Sequence, residues 1–151
     1  MVSSRTLLLV RTLLGLSILG FADAAYLTIL HYQNIIPPCS ITSGCEIVLT
    51  SPYSLILGVP VALLGSLYYA AMIIGTAVFL DAKNMRILKL LCLASSTGML
   101  AALYFVSLEL FAIHAICMYC TASALFSILM FGIGMYLLRY SNFKMEATLT
   151  H

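Results

Sequence analysis

The chain has 151 residues, of which 63% are hydrophobic and only 8% charged, with a mean hydropathy of +1.11. A soluble domain carries about 25% charged residues, so this composition excludes a water-facing surface of ordinary size and defines an integral membrane protein. A formal net charge of +2 gives no reason to expect nucleic acid.

Four apolar stretches, about residues 7–31, 55–80, 88–112 and 117–138, can each cross the membrane. A hydrocarbon layer of about 30 Å takes about 20 helical residues. The expected fold is all-α: a single domain over residues 1–151, built as a polytopic four-helix bundle. Arg5 and Arg11 at the first stretch resemble the start of a signal peptide. The run is too long for that, and no small-residue cleavage site follows before Tyr32, so it reads as a retained span. Asp23 lies in its outer half, where a charge costs about 2.5–3.5 kcal/mol on insertion scales. Such a residue is a candidate proton source or ligand contact. The plainer reading is an interhelical hydrogen bond to Tyr104 or Ser66.

Residues 32–54 form the long polar connection. Pro37-Pro38 impose an extended entry and Ser43-Gly44 a turn. Residues 45–50 suit one or two helical turns, with Ser43 as N-cap and Glu46 in the first turn. Ile47, Val48 and Leu49 are too apolar for free solvent, which predicts a short surface helix capping the bundle. Pro60 fits the first turns of the second span, where N–H groups lack intrahelical partners. In the third span, Ser95, Ser96 and Thr97 are expected to bond their own helix backbone. Cys92 is expected in the core, and Glu109 is expected to reach headgroup water. His114, just before the fourth span, is either an interfacial residue or a partner for a thiolate.

Arg5, Arg11, Lys83, Arg86, Lys89, Arg139 and Lys144 are all the Lys and Arg, and they flank the termini and residues 81–87. The 32–54 loop and the 113–116 turn have none. The positive-inside rule puts the termini in the cytoplasm and Cys39, Cys45, Cys117 and Cys120 outside the cell (inner) membrane. Disulfides persist on that side, or in the topologically equivalent lumen of the endoplasmic reticulum.

Cys117-Met118-Tyr119-Cys120 opens the fourth span. On a helix, both sulfurs fall on one face about one turn apart. The helix N-terminus lowers the pKa of Cys117, which favours thiol–disulfide exchange. Cys120 is a turn deeper and meets a lipid-soluble electron acceptor first. Together with Cys39 and Cys45, the arrangement suits moving two electrons from soluble thiols to an acceptor dissolved in lipid. Three other readings stand beside it: packing cysteines, a metal site of four thiolates, and a non-enzymatic scaffold stapled by two disulfides. Cys92 lies about 30 Å from the other four and cannot exchange with them.

Four fragments sharpen the reading: Ala22-Asp-Ala-Ala-Tyr-Leu-Thr28; Cys39 and Cys45 with Val48-Leu-Thr-Ser51; Tyr53-Ser-Leu-Ile-Leu-Gly-Val-Pro60; and Ala115-Ile-Cys-Met-Tyr-Cys120. With them, the chain resembles the vitamin K epoxide reductase family in its bacterial disulfide-forming branch. The resemblance implies a four-helix bundle around a quinone of the ubiquinone or menaquinone class. Electrons would come from a thioredoxin-fold disulfide oxidase acting in trans. Cys45 would meet that partner, Cys39 would shuttle, Cys117 would receive the electrons, and Cys120 would reduce the quinone. Ser51 matches a family serine near the site. Ser54 and Ala124 stand where vertebrate enzymes carry a quinone-contacting asparagine and a tyrosine, which argues against vitamin K epoxide as substrate. The expected quinone contacts are Ser51, Ser54, Leu57, Gly58, Met118 and Asp23, and no resident metal is expected.

Overall fold

The computed structural model describes residues 4–39 and 44–149, with side chains as far as residue 140. Four long helices dominate it: α1 (Ser4–Gln33), α3 (Val61–Ala82), α4 (Met85–Leu108, continued by a π-helical turn, Glu109–Ile113) and α5 (Met118–Leu149). All four are long and apolar enough to cross a membrane. A short helix, α2 (Gly44–Leu49), and a two-stranded hairpin, β1 (Leu55–Ile56) and β2 (Val59–Pro60), occupy the connection between α1 and α3. The all-α membrane bundle expected from composition is the fold observed.

α1 packs chiefly on α3 and α4 chiefly on α5, with α1 also against α5. Val10, Leu13, Tyr69, Met72, Phe79 and Met130 belong to the buried interior, while Leu8, Leu67, Leu93 and Leu100 face outward. An apolar outer surface is what lipid requires. Lipid provides no hydrophobic drive between helices, so close contact and buried hydrogen bonds hold them together. Gly20 shows the first: a Cβ there would collide with the ring of Tyr69. Tyr69 shows the second, donating from α3 to the Ser123 carbonyl of α5 at 2.8 Å, with the Ser123 and Ser127 hydroxyls at 3.0 and 3.1 Å.

The membrane serines behave as expected. Ser95 and Ser96 donate to the Cys92 carbonyl, Thr97 donates to that of Ala94, and Cys92 is core. α2 also forms where the loop pattern puts it, with Cys45 and Val48 buried and Glu46 exposed. The proposed Ser43 cap lies outside the described residues.

Boundaries differ at several helix ends. The second span begins at Val61, not near residue 55, because 55–60 form the hairpin. A continuous apolar run does not by itself separate strand from helix. Here Leu57 (φ 52°) and Gly58 (φ 81°) make a turn of left-handed residues that no helix accommodates. Pro60 accordingly precedes the helix rather than sitting in its first turns. α4 starts earlier than expected, at Met85, because the Asn84 side chain caps it by accepting from the Arg86 N–H at 2.9 Å. α5 continues to Leu149, well past the end expected near residue 138.

Candidate active site

The two cysteine pairs meet. Cys39 and Cys45 form a disulfide with Cα atoms 6.2 Å apart, while Cys117 and Cys120 are free thiols. Cys45, Val48 and Cys117 make one buried cluster, against which Cys39, Met118 and Cys120 pack. Cys45 and Cys117 are both 0% exposed, whereas Cys39 is only partly buried. The contact depends on Gly44, since a Cβ there would come within 2.5 Å of the Ile116 carbonyl oxygen. A bare Cα lets α2 lie directly on the backbone that leads into Cys117.

The other side of Cys117 is built by the π-helical turn. One extra residue in a helical turn re-aims the side chains around it, and such turns recur at functional sites. Here the widened turn ends at His114 (φ 53°), and the Ala115 N–H donates to the Glu109 carbonyl at 3.2 Å. Glu109 is left 4% exposed, and its Oε2 accepts from the Cys117 N–H at 3.2 Å. This corrects the expectation that Glu109 reaches headgroup water. A helical wheel does not contain the bulge that turns it inward.

Cys117 precedes the first residue of α5, and its Sγ accepts from the Cys120 N–H at 3.3 Å. Its thiol is held below the ordinary cysteine value. The chief cause is the hydrogen bond from the Cys120 side chain, opposed by burial and aided by the Cys120 and Tyr119 backbone N–H groups. A lowered pKa at this helix start is what the sequence leads one to expect.

Cys120 lines a cavity of about 840 Å³ between the helices. Of the expected contacts, Asp23, Ser51 and Ser54 also line it, but Leu57, Gly58 and Met118 do not. Leu57 is 99% exposed at the hairpin tip, and Met118 packs beside the sulfurs instead. Ser51 and Ser54 spend their hydroxyl protons locally, on the Val48 carbonyl at 2.7 Å and the Ser51 carbonyl at 2.8 Å. They offer the cavity lone pairs only. The plainer partners for Asp23 are not engaged: Tyr104 is 58% exposed, and Ser66 donates to the Leu63 carbonyl at 2.8 Å. Asp23 Oδ2 is buried without a hydrogen-bond partner among the described residues. So is the hydroxyl of Tyr68, a lining residue that sequence reasoning missed. His114 is exposed and outside the lining.

Ligand cavities of about 300–1,000 Å³, apolar with a few placed polar groups, are usual for molecules of cofactor size. This one has mostly aliphatic and aromatic walls, two unpartnered polar atoms and a thiol. It fits a flat apolar ring bearing oxygens, which describes a quinone head group. No cluster of three or more His, Cys, Asp or Glu arranged for a metal ion occurs among the described residues.

Membrane-length helices around such a cavity, with one thiol of a CxxC on its wall and a disulfide packed against the other, define a membrane-embedded thiol–disulfide oxidoreductase. Comparison with protein families matches residues 11–135 to the vitamin K epoxide reductase family, and the chain belongs to that family. Family membership brings oxidoreductase chemistry in which thiols and a quinone exchange electrons. No curated protein matches the chain.

Proposed function

We propose that this protein reoxidises an extracytoplasmic thioredoxin-fold disulfide oxidase, acting in trans, and passes the electrons to a quinone of the ubiquinone or menaquinone class. This is the work of the family's bacterial disulfide-forming branch, in the cell (inner) membrane with the termini cytoplasmic. The observation that carries the reading is the single cluster holding all four sulfurs, with Cys120 also on the cavity wall.

Burial supports an order for the loop pair opposite to the one the resemblance implies. Cys39 is the more accessible sulfur, and Cys45 is sealed against Cys117. A partner thiolate attacks Cys39 and releases the Cys45 thiolate. Cys45 attacks Cys117 of the Cys117–Cys120 disulfide and releases Cys120. The partner's second thiol then frees Cys39, which attacks Cys45, restoring the loop disulfide and releasing Cys117. Each exchange conserves the number of sulfur–sulfur bonds. The outcome is an oxidised partner, an intact Cys39–Cys45 bond and a reduced CxxC, which is the thiol state of the structure. Bound quinone supplies the two-electron acceptor for that dithiol. Asp23 Oδ2 and the Tyr68 hydroxyl, buried on the cavity wall with no partner among the described residues, are placed to meet its oxygens.

The test is quinone reduction by purified protein supplied with a reduced thioredoxin-fold oxidase. Quinol should form in step with partner disulfide and vanish in Cys120→Ala. A protein that exchanges disulfides with the partner yet reduces no quinone would overturn the reading. A metal site built from all four thiolates finds no support in a structure where two of the four sulfurs are joined to each other.

A further inference from the structure

Oxidising a dithiol releases two protons along with its electron pair, and in a dry site those protons need a defined acceptor. From the geometry we infer that Glu109 is that acceptor for Cys120: its carboxylate takes the thiol proton as Cys120 becomes the electron-donating thiolate. The inference deepens the function proposed above and rests on it.

Glu109 is positioned to do this. It is buried, lines the same cavity as Cys120, and its carboxyl interacts with the Cys120 side chain while accepting from the Cys117 N–H. The Cys117 N–H aimed at this buried carboxyl suits the ionised form, which accepts only. The unpaired N–H groups at the start of α5 favour a negative charge there. Proton transfer replaces carboxylate and thiol by carboxylic acid and thiolate, so the site carries one negative charge throughout. Ionising the thiol beside a fixed carboxylate would instead place two like charges together, which burial makes expensive.

The balance closes. Cys120 gives its proton to Glu109, and the Cys117 thiol keeps its own until the bond forms. Closure of Cys117–Cys120 releases two electrons, and the protons held on Glu109 and Cys117 accompany them to give the quinol. Other titratable groups face the same cavity. They are Asp23 and His31 from α1, Tyr53 from the loop before the hairpin, and Tyr68 and Tyr69 from α3. Of all these, it is Glu109 that shares the cavity wall with Cys120 while its carboxyl hydrogen-bonds the Cys117 backbone.

The experiment reads Cys120 directly, without quinone or partner. In a Cys92→Ala, Cys117→Ser background with the loop disulfide intact, Cys120 is the one free thiol. Its alkylation by iodoacetamide is followed against pH. With Glu109 the rate should climb through two ionisations separated by a pH-independent segment, because the thiolate–carboxylic acid form has a fixed share there. Glu109→Asp should keep both steps, and Glu109→Gln should show one. In the otherwise native protein, Glu109→Gln should lower quinone turnover about a hundred-fold, the scale of general acid–base catalysis, with partner-to-loop exchange unchanged. A single ionisation in the Glu109 protein itself would overturn the inference without relying on any Glu109 variant to fold. Two ionisations in a protein that reduces no quinone would refute the proposed function and leave the proton transfer standing.

Discussion

Gly44 shows how much of this site depends on one missing atom. Its Cα rests on the Ile116 backbone, and a methyl group there must push α2 away from Cys117. Overpacking of this kind costs about 1–3 kcal/mol, which corresponds to about five-fold to a hundred-fold in rate if it falls on the exchange step. Gly44→Ala should therefore slow exchange between the loop disulfide and Cys117 by that factor. Cys120 alkylation should stay near its parent rate, which separates a displaced loop from a disturbed bundle. Stopped-flow thiol exchange in detergent measures the first; equal exchange rates in both proteins would refute the packing role. At this scale, the chemistry-bearing residues whose type alone is informative were legible. Paired cysteines, and Asp23 within the first apolar span, carry their meaning in sequence. Gly44, Tyr68 and Glu109 were not legible, because their roles lie in direction. The π-helical turn aims Glu109, packing against Gly98 places the Tyr68 hydroxyl, and neither has a periodic signature.

Among the elements, the hairpin at 55–60 is the clearest case of composition misleading. Leu55, Ile56, Leu57 and Val59 read as the start of a helix by hydropathy, yet they form strands and a turn beside the cavity. Leu57 adopts a left-handed conformation that costs a non-glycine residue about 1–2 kcal/mol, and its side chain is fully exposed. Leu57→Gly should raise the thermal midpoint in detergent. The apparent KM for quinone should be unchanged, because the residue does not line the cavity. An altered KM would return Leu57 to the pocket. α2, by contrast, was legible as an element. Its two-turn apolar pattern requires cover, and the bundle supplies it at Cys45 and Val48.

Over the whole molecule, four spans and a one-sided distribution of cations specify the architecture. All seven Lys and Arg flank the side opposite the four paired cysteines, so the proposed orientation places those sulfurs outside. After mild reduction of intact cells, a membrane-impermeant maleimide should label Cys39 in a variant retaining it as the sole loop cysteine. Labelling that needs lysis would reverse the orientation. What sequence could not convey at this scale is which sulfurs touch, since that depends on how a loop folds back over helix ends far away along the chain. The decisive variant for a relay formed by the two cysteine pairs is Cys120→Ala. Without its resolving partner, the Cys117 thiolate attacks Cys45 of the loop disulfide and expels Cys39, leaving a covalent link between loop and α5. Mass spectrometry of unreduced peptides from the purified variant should find the Cys45–Cys117 bond. A Cys39–Cys117 bond would exchange the two loop roles within the relay, and finding no bond between the pairs under any redox condition would contradict the relay itself.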